Sequence, residues 1–258
     1  MKDVKEDVQS LVDQMNKPDA VLRVLEAGCG SNSKFKLAPN AHITGIDIST
    51  EQLGKNSVLH EKILGDIQTY PLEASSFDII FCWDVLEHLR HPENALKNFA
   101  RAIRDGGIVV LGAPVVGSIK GVITKYTPHW FHVAMYRYWL GYKDAGKAGC
   151  PPFPTFLKAS MSPRFIADFA RESQMAVEAL VIYEGAMQIN EKMRHRSVDL
   201  GLSVFGPLIK TLSFRRIYPS VTDFVMVLRK ISKAEVSCPP TQQASGQGPF
   251  LTSRTNAA

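Results

Sequence analysis

The feature that most constrains the fold is a short apolar run that ends on two glycines, Val21-Leu22-Arg23-Val24-Leu25-Glu26-Ala27-Gly28-Cys29-Gly30-Ser31. A Val- and Leu-rich run of this length, stopped abruptly, reads as a buried parallel strand entering a tight loop. Glycine at 28 and 30 allows the backbone to turn sharply and lets a ligand lie against it with no Cβ in the way. Two carboxylates sharpen the pattern. Glu26 precedes the first glycine, and Asp47 closes the next apolar run, His42-Ile43-Thr44-Gly45-Ile46-Asp47, 19 residues after Gly28. A carboxylate at the end of the second strand is placed to accept hydrogen bonds from the two hydroxyls of a ribose. A structural Gly turn in some other α/β domain is the plainer alternative.

Strand and helix signals alternate after this point. Residues 2 to 16 space Val4, Val8, Leu11, Val12 and Met15 by four and three, an amphipathic helix expected to pack over the sheet and cover a ligand. Ser49-Thr50-Glu51 caps a helix over about 50 to 60. Ile63-Leu64-Gly65-Asp66 is a third strand with an acid at its end. Phe77 to Trp83 is a fully buried fourth strand, followed by a turn carrying Asp84 and His88. Pro92-Glu93 starts a helix with Ala95, Leu96, Phe99 and Ile103 inward, Asp105-Gly106-Gly107 stops it, and Ile108 to Gly112 is strand five. Ser162-Pro163 caps a further helix with Phe165, Ile166, Phe169 and Ala170 inward. Strands follow at 176 to 184 and 223 to 228. This alternation predicts a mostly parallel sheet with helices on both faces.

Two stretches break the rhythm. Residues 114 to 162 hold Tyr126, Trp130, Phe131, Tyr136, Tyr138, Trp139 and Tyr142, too aromatic for a linker, and read as a lid inserted after strand five. Residues 186 to 218 form a second insertion, amphipathic and basic. Residues 1–232 therefore read as one domain with insertions at about 114–162 and 186–218. The Ser-, Gln- and Pro-rich 233–258 reads as a disordered tail.

Composition narrows the function classes. At 45% apolar and 21% charged, 258 residues are ample for a core. The net charge of +5 is mild, and no long Lys/Arg block suggests nucleic acid. Cys29, Cys82, Cys150 and Cys238 are widely spaced, which predicts reduced thiols in a cytoplasmic protein and no metal site.

The acid-Gly-x-Gly loop, Asp47, Gly65-Asp66, the Phe-Asp-Ile-Ile-Phe strand with Glu-His-Leu behind it, and Asp-Gly-Gly before strand five occur here in order. Together they resemble the motifs of class I S-adenosylmethionine-dependent methyltransferases of the type 11 kind, over roughly residues 20 to 115 and faintly to about 230. The third glycine of the family's first motif is Asn32 here. A dinucleotide dehydrogenase would want glycine at 33, where this chain has Ser33. The resemblance implies an α/β fold with a doubly wound, seven-stranded, mostly parallel sheet whose last strand is antiparallel, carrying the two lid-like insertions. It implies methyl transfer from S-adenosylmethionine, leaving S-adenosylhomocysteine, to O, N or C of a small or mid-sized organic acceptor. A non-catalytic adenine-nucleotide-binding module or partner subunit is the alternative. By position, Gly28, Cys29 and Gly30 would meet the methionine part through backbone, Glu26 its ammonium, Asp47 the ribose with Ile48 against the adenine, and Asp66 and Ile67 the adenine amine and ring. Cys82 and Trp83 would line the pocket near the sulfonium. Asp66 as a helix cap and Trp83 as plain core are the alternatives on burial grounds.

An oxygen acceptor calls for a base with a pKa near neutral, and His88, His129 and His132 are the candidates, against packing roles for each. The aromatic and basic insertions also make a weak contact with a membrane surface an open reading, beside that of a lid packed on itself.

Overall fold

A period of two sorts the side chains of the central strands onto two apolar faces, and this makes the strands interior. In the fourth strand Ile79, Phe81 and Trp83 enter one core layer, while Ile80 and Cys82 enter the other. The computed structural model describes residues 2–16, 20–139, 141–147, 150, 152–185, 188–190, 211, 221–232 and 251–253. Its strands are β1 (Leu22–Ala27), β2 (Ala41–Asp47), β3 (Glu61–Leu64), β4 (Phe77–Trp83), β5 (Ile103–Pro114), β6 (Met175–Tyr183) and β7 (Asp223–Lys230). They hydrogen-bond in the order β3-β2-β1-β4-β5-β7-β6. All neighbours are parallel except β7, which runs antiparallel to both β5 and β6. The expected seven-stranded, doubly wound α/β sheet is therefore the observed one. A three-residue strand, β8 (Leu251–Ser253), pairs parallel with β6 at the edge. It is the one described piece of the tail whose composition predicts disorder.

Helices cover both faces. Helix α1 (Lys2–Met15) lays Val4, Val8 and Val12 on the layer containing Val24, Phe81 and Trp83. Helices α3 (Pro92–Ala102) and α6 (Pro163–Glu172) cover the opposite layer with Leu96, Phe99, Ile166 and Ala170. Ser162 caps α6 by accepting from the Phe165 amide.

Three boundaries and one side chain differ from the sequence reading. Helix α2 (Thr50–Lys55) stops short of residue 60 because Asn56 is extended and fully buried, its Nδ2 donating to the Gly30 carbonyl at 3.3 Å. Strand β3 ends at Leu64, leaving Gly65-Asp66 in a turn. Helix α3 ends before the Asp-Gly-Gly triplet, because Ile103 already pairs with Phe77 as part of β5. Phe165 is 40% exposed, lying beside the buried stripe of Ile166 and Ala170.

After β5 the chain forms α4 (Ile119–Tyr126), α5 (His129–Ala134) and a π-helical turn at Met135–Trp139. Its returning limb is bound along the β4 turn and α3. The amides of Phe156 and Leu157 donate to the Glu87 carbonyl at 2.8 and 3.4 Å, and Ser160 Oγ donates to Glu93 at 2.9 Å. The insertion expected at 186–218 lies almost wholly outside the described residues. No helix among the described residues is long and apolar enough to cross a membrane.

Phe99 is 1% exposed at the centre of the α3 layer. Phe99→Ala is expected to cost about 3–5 kcal/mol in urea denaturation. Val58→Ala, at a half-exposed position, is expected to stay within about 0.5 kcal/mol of the parent protein.

Candidate active site

Strand order reverses at β1, with β2 on one side and β4 on the other, so the loops leaving β1 and β4 part and open a crevice at the carboxyl edge. The glycine loop lies there. Its first amides are stitched to the next strand: Gly28 and Cys29 donate to the Ile46 carbonyl at 2.8 and 3.2 Å. Gly30 donates to Asp47 Oδ2 at 2.9 Å. Gly28 and Gly30 have φ of +70° and +55°, a conformation glycine adopts without strain. A Cβ on Gly28 would stand 2.5 Å from Val85 Cγ2, so the loop after β1 rests directly on the loop after β4.

Asp47 is half-buried. Its other oxygen, Oδ1, accepts from the Ser49 amide at 2.9 Å. Each oxygen is thus held by one amide, and a carboxylate offers about four lone-pair sites, so a pair of hydroxyls can still be accepted. Glu26 is 5% exposed. Oε2 accepts from Ser33 Oγ at 2.7 Å, whereas Oε1 is buried with no hydrogen-bond partner. Burial pushes its pKa up, and the Ser33 hydroxyl partly opposes that. A buried carboxylate with an unsatisfied oxygen beside a bare glycine loop fits a cationic amine.

Ile48 is 78% exposed, a flat apolar surface beside Asp47. Asp66 sits in the turn after β3 with Oδ1 accepting from the Gln68 amide at 2.8 Å, so it closes a turn, and no helix follows for it to cap. Ile67, Cys82 and Trp83 differ from the expectation that their side chains line a pocket. Ile67 and Cys82 are in the core layer of α3, and Trp83 packs edge-on to Phe35 at 5.4 Å, over the space that Gly112 leaves. What Cys82 and Trp83 can present to a ligand is backbone, because period-two burial takes both faces of β4, and Ile67, in the turn after β3, is likewise limited to backbone by the burial of its side chain. The thiols are inert. Burial, then Asp47 and Glu26, push Cys29 up to about 12, and burial pushes Cys82 higher still.

The three histidines differ in setting. His88 Nδ1 is 2.7 Å from the Pro154 carbonyl, which can only accept, so Nδ1 carries the proton and the neutral ring keeps its lone pair on Nε2. Nε2 lies 4.0 Å from Glu87 Oε1. His88 thus holds the returning limb of the insertion against the β4 turn, with Phe153 edge-on at 6.0 Å. His132 Nε2 bonds Thr127 at Oγ1 and O, at 3.0 and 3.2 Å, closing the α4–α5 turn. His129 is exposed on α5.

Sequence reasoning placed Asp84 in the turn after β4 without giving it a role, and missed Lys34 and Tyr183 at this edge. Asp84, directly after β4, has φ +56° and donates its amide to the Gly112 carbonyl at 2.9 Å. Lys34, from the glycine loop's far side, pairs with its carboxylate at 3.3 Å, so the two loops are bridged across the crevice. Tyr183, at the end of β6, has its phenol pKa raised by burial and by Asp223 and Asp84, and stays a donor. A positive φ has no sequence signal at an Asp, and Lys34 is 50 residues from its partner. A cavity of about 410 Å³ lies at the opposite, amino-terminal edge, between Leu22, Asp78 and Arg229. Its arginines are already paired, Arg104 with Asp78 and Arg229 with Glu178, both at 2.8 Å.

Comparison with known proteins agrees with this geometry. Residues 25–111 match the family model described as a methyltransferase domain. Over this stretch the chain is similar to methyltransferase domains. The orphaned Glu26 oxygen and the spare acceptor sites of Asp47 fit the ammonium and ribose of S-adenosylmethionine, the cofactor that the sequence resemblance implies. A ubiquinone biosynthesis O-methyltransferase from Aromatoleum aromaticum is 36% identical over 98 residues, 34% of this chain and 42% of that protein. Its alignment, like that with the enzyme of the same name from Coxiella burnetii, spans well under half of the relative's length. The fold is shared with a crystal structure of a candidate sarcosine dimethylglycine methyltransferase from Galdieria sulphuraria, at TM-score 0.52 and 15% identity over 88% of this chain and 85% of that one. It is shared also with phosphoethanolamine N-methyltransferase 2 of Haemonchus contortus, solved with S-adenosylmethionine, at TM-score 0.50 and 14% identity over 88% and 53%.

Gly28→Ala combines a positive φ with a clash against Val85. It is expected to cost about 1–3 kcal/mol or more in chemical denaturation. Adding Val85→Ala should recover only the steric part.

Glu26→Gln separates stability from binding. An acid whose folded pKa is raised loses stability as pH climbs above its unfolded value. The ligand-free variant should therefore melt higher than the parent at neutral pH, with the gain vanishing on acidification below the ordinary carboxyl range. Its affinity for S-adenosylhomocysteine should fall about tenfold or more by calorimetry.

Proposed function

We propose that this protein transfers a methyl group from S-adenosylmethionine to an oxygen, nitrogen or carbon of a small or mid-sized organic acceptor. The buried Glu26 oxygen without a partner, beside a side-chain-free loop at the sheet's switch point, is the observation that carries this reading. When bound, the cofactor supplies an electrophilic methyl on its sulfonium. Glu26 holds the ammonium, and the Gly28 to Gly30 backbone, Cys29 included, lies along the methionine part. Asp47 takes the ribose hydroxyls and Ile48 lies on the adenine. Asp66 and the Ile67 backbone meet the base edge, and the Cys82 and Trp83 backbone faces the sulfonium. Displacement at carbon gains much of its rate from holding the nucleophile in line. The limb at 153–157, tied to the β4 turn by His88, is placed to hold an acceptor. Calorimetric titration with S-adenosylhomocysteine, with the oxidised nicotinamide dinucleotide as control, tests the reading. Heat from the dinucleotide alone would overturn it.

His88 is the strongest of the three histidine candidates, because its Nε2 lone pair is free while Nδ1 is engaged. The contacts of His132 stay inside the insertion. The base and the positioning roles of His88 are separable. Asn can still donate to the Pro154 carbonyl but has no basic nitrogen. If His88 is the base, His88→Asn and His88→Ala should both lower kcat about 100-fold or more with an oxygen acceptor, with the acid limb of the pH profile lost. If it only positions the limb, Asn should restore most of the turnover that Ala loses.

A further inference from the structure

The insertion after β5 is charged and exposed in a way the rest of the chain is not. Residues 114–162 contain six Lys and Arg and one acid, Asp144, which is the whole +5 excess of the chain; the remainder holds 24 bases and 24 acids. They also supply eight of the thirteen large apolar side chains that stand exposed among the described residues. Tyr126, Trp130 and Tyr138 are 76%, 69% and 83% exposed, and Trp139 and Tyr142 are each 52% exposed. Trp130 and Tyr138 are eight residues apart, about two turns of helix, and the wider π turn between them brings them near one line. These rings touch the insertion on one side, Trp130 at Phe131 and Tyr142 at Tyr136, with ring centres 6.1 and 5.8 Å apart, and keep half or more of their surface in solvent. Exposed Lys125 and Lys143 alternate with them, and Lys125 Nζ stands 5.8 Å from the Tyr126 ring centre.

An apolar patch of this kind is rarely left to water. Its composition selects the occupant. Trp and Tyr pair an apolar ring with a polar tip, which suits the boundary between headgroups and acyl chains, and interspersed lysines without matching acids suit an anionic surface. We infer that the α4–α5 face of the insertion docks on the surface of an anionic lipid bilayer, with its aromatic rings in the headgroup layer. The limb that continues from this face is the one His88 and Glu87 bind at the β4 turn, so docking would set the crevice close to the lipid boundary. The inference does not depend on methyl transfer.

Co-sedimentation of the full chain with phosphatidylcholine vesicles, with and without phosphatidylglycerol, tests it. The protein is expected to pellet with the phosphatidylglycerol vesicles, to do so less as salt rises, and to remain in solution with phosphatidylcholine alone. Emission from Trp130 and Trp139 should shift to the blue on binding. The triple variant Trp130→Ala, Tyr138→Ala, Trp139→Ala should lose about tenfold or more in partitioning, while its melting midpoint and S-adenosylhomocysteine affinity match the parent. Lys125→Glu with Lys143→Glu should abolish the preference for phosphatidylglycerol. A parent protein that stays in the supernatant overturns the inference. So does a triple variant that pellets as before, binding of mixed-sequence RNA in place of vesicles, or self-association that covers these rings.

Discussion

The glycine loop is held in shape by backbone amides, and everything proposed for the crevice depends on that. Gly28 and Cys29 spend their N–H groups on the Ile46 carbonyl, and Gly30 spends its own on the Asp47 carboxylate. The end of β1 is therefore locked to the end of β2 before any ligand arrives. The Gly30 and Ser49 amides place Asp47, one on each carboxylate oxygen. The cost of building the site falls on folding, and little of it falls on binding.

The second constraint is packing without side chains. Val85 fills the space where Gly28 has no Cβ, and Trp83 fills the space where Gly112 has none. The first gap lets the β1 and β4 loops approach closely, and the second seats the β4 indole against β5. The approach of the two loops brings Glu26, the glycine backbone and the start of the His88 turn around one opening. Glu26 is the energetic counterpart: burial opposes its charge, and either a proton or a cation beside Oε1 would relieve that. Such tension between the stability of the empty protein and affinity for a ligand is common at binding sites.

The insertion after β5 is tied down at one end and open at the other. Its returning limb is bound to the β4 turn and α3 by backbone and side-chain hydrogen bonds, whereas the α4–α5 region leaves its largest rings in solvent. Carboxylates and backbone thus line the sheet side of the crevice, whereas the insertion presents aromatic rings and lysines to solvent.

Much was legible in the one-dimensional pattern because it rests on local physics. The period of two in β4, the spacing of Val4, Val8 and Val12 in α1, the caps at Ser49 and Ser162 and the glycine-acid spacing all act over a few residues, and all appear in the fold. The roles of Ile67, Cys82 and Trp83 were not legible, since a β-strand end does not announce which atoms face solvent. Asn56 ended α2 early through a hydrogen bond 26 residues distant.

The amino-acid order by itself determined the sheet, its helical cover and the glycine loop at its carboxyl edge, because hydrophobic period and glycine placement are properties of neighbours along the chain. Only the tertiary structure decided that Glu26 keeps an unpaired oxygen, that Lys34 reaches Asp84, that His88 holds the insertion's limb and that the insertion's rings face outward. Those facts depend on distances between residues far apart in the chain, and on burial, which no local pattern encodes.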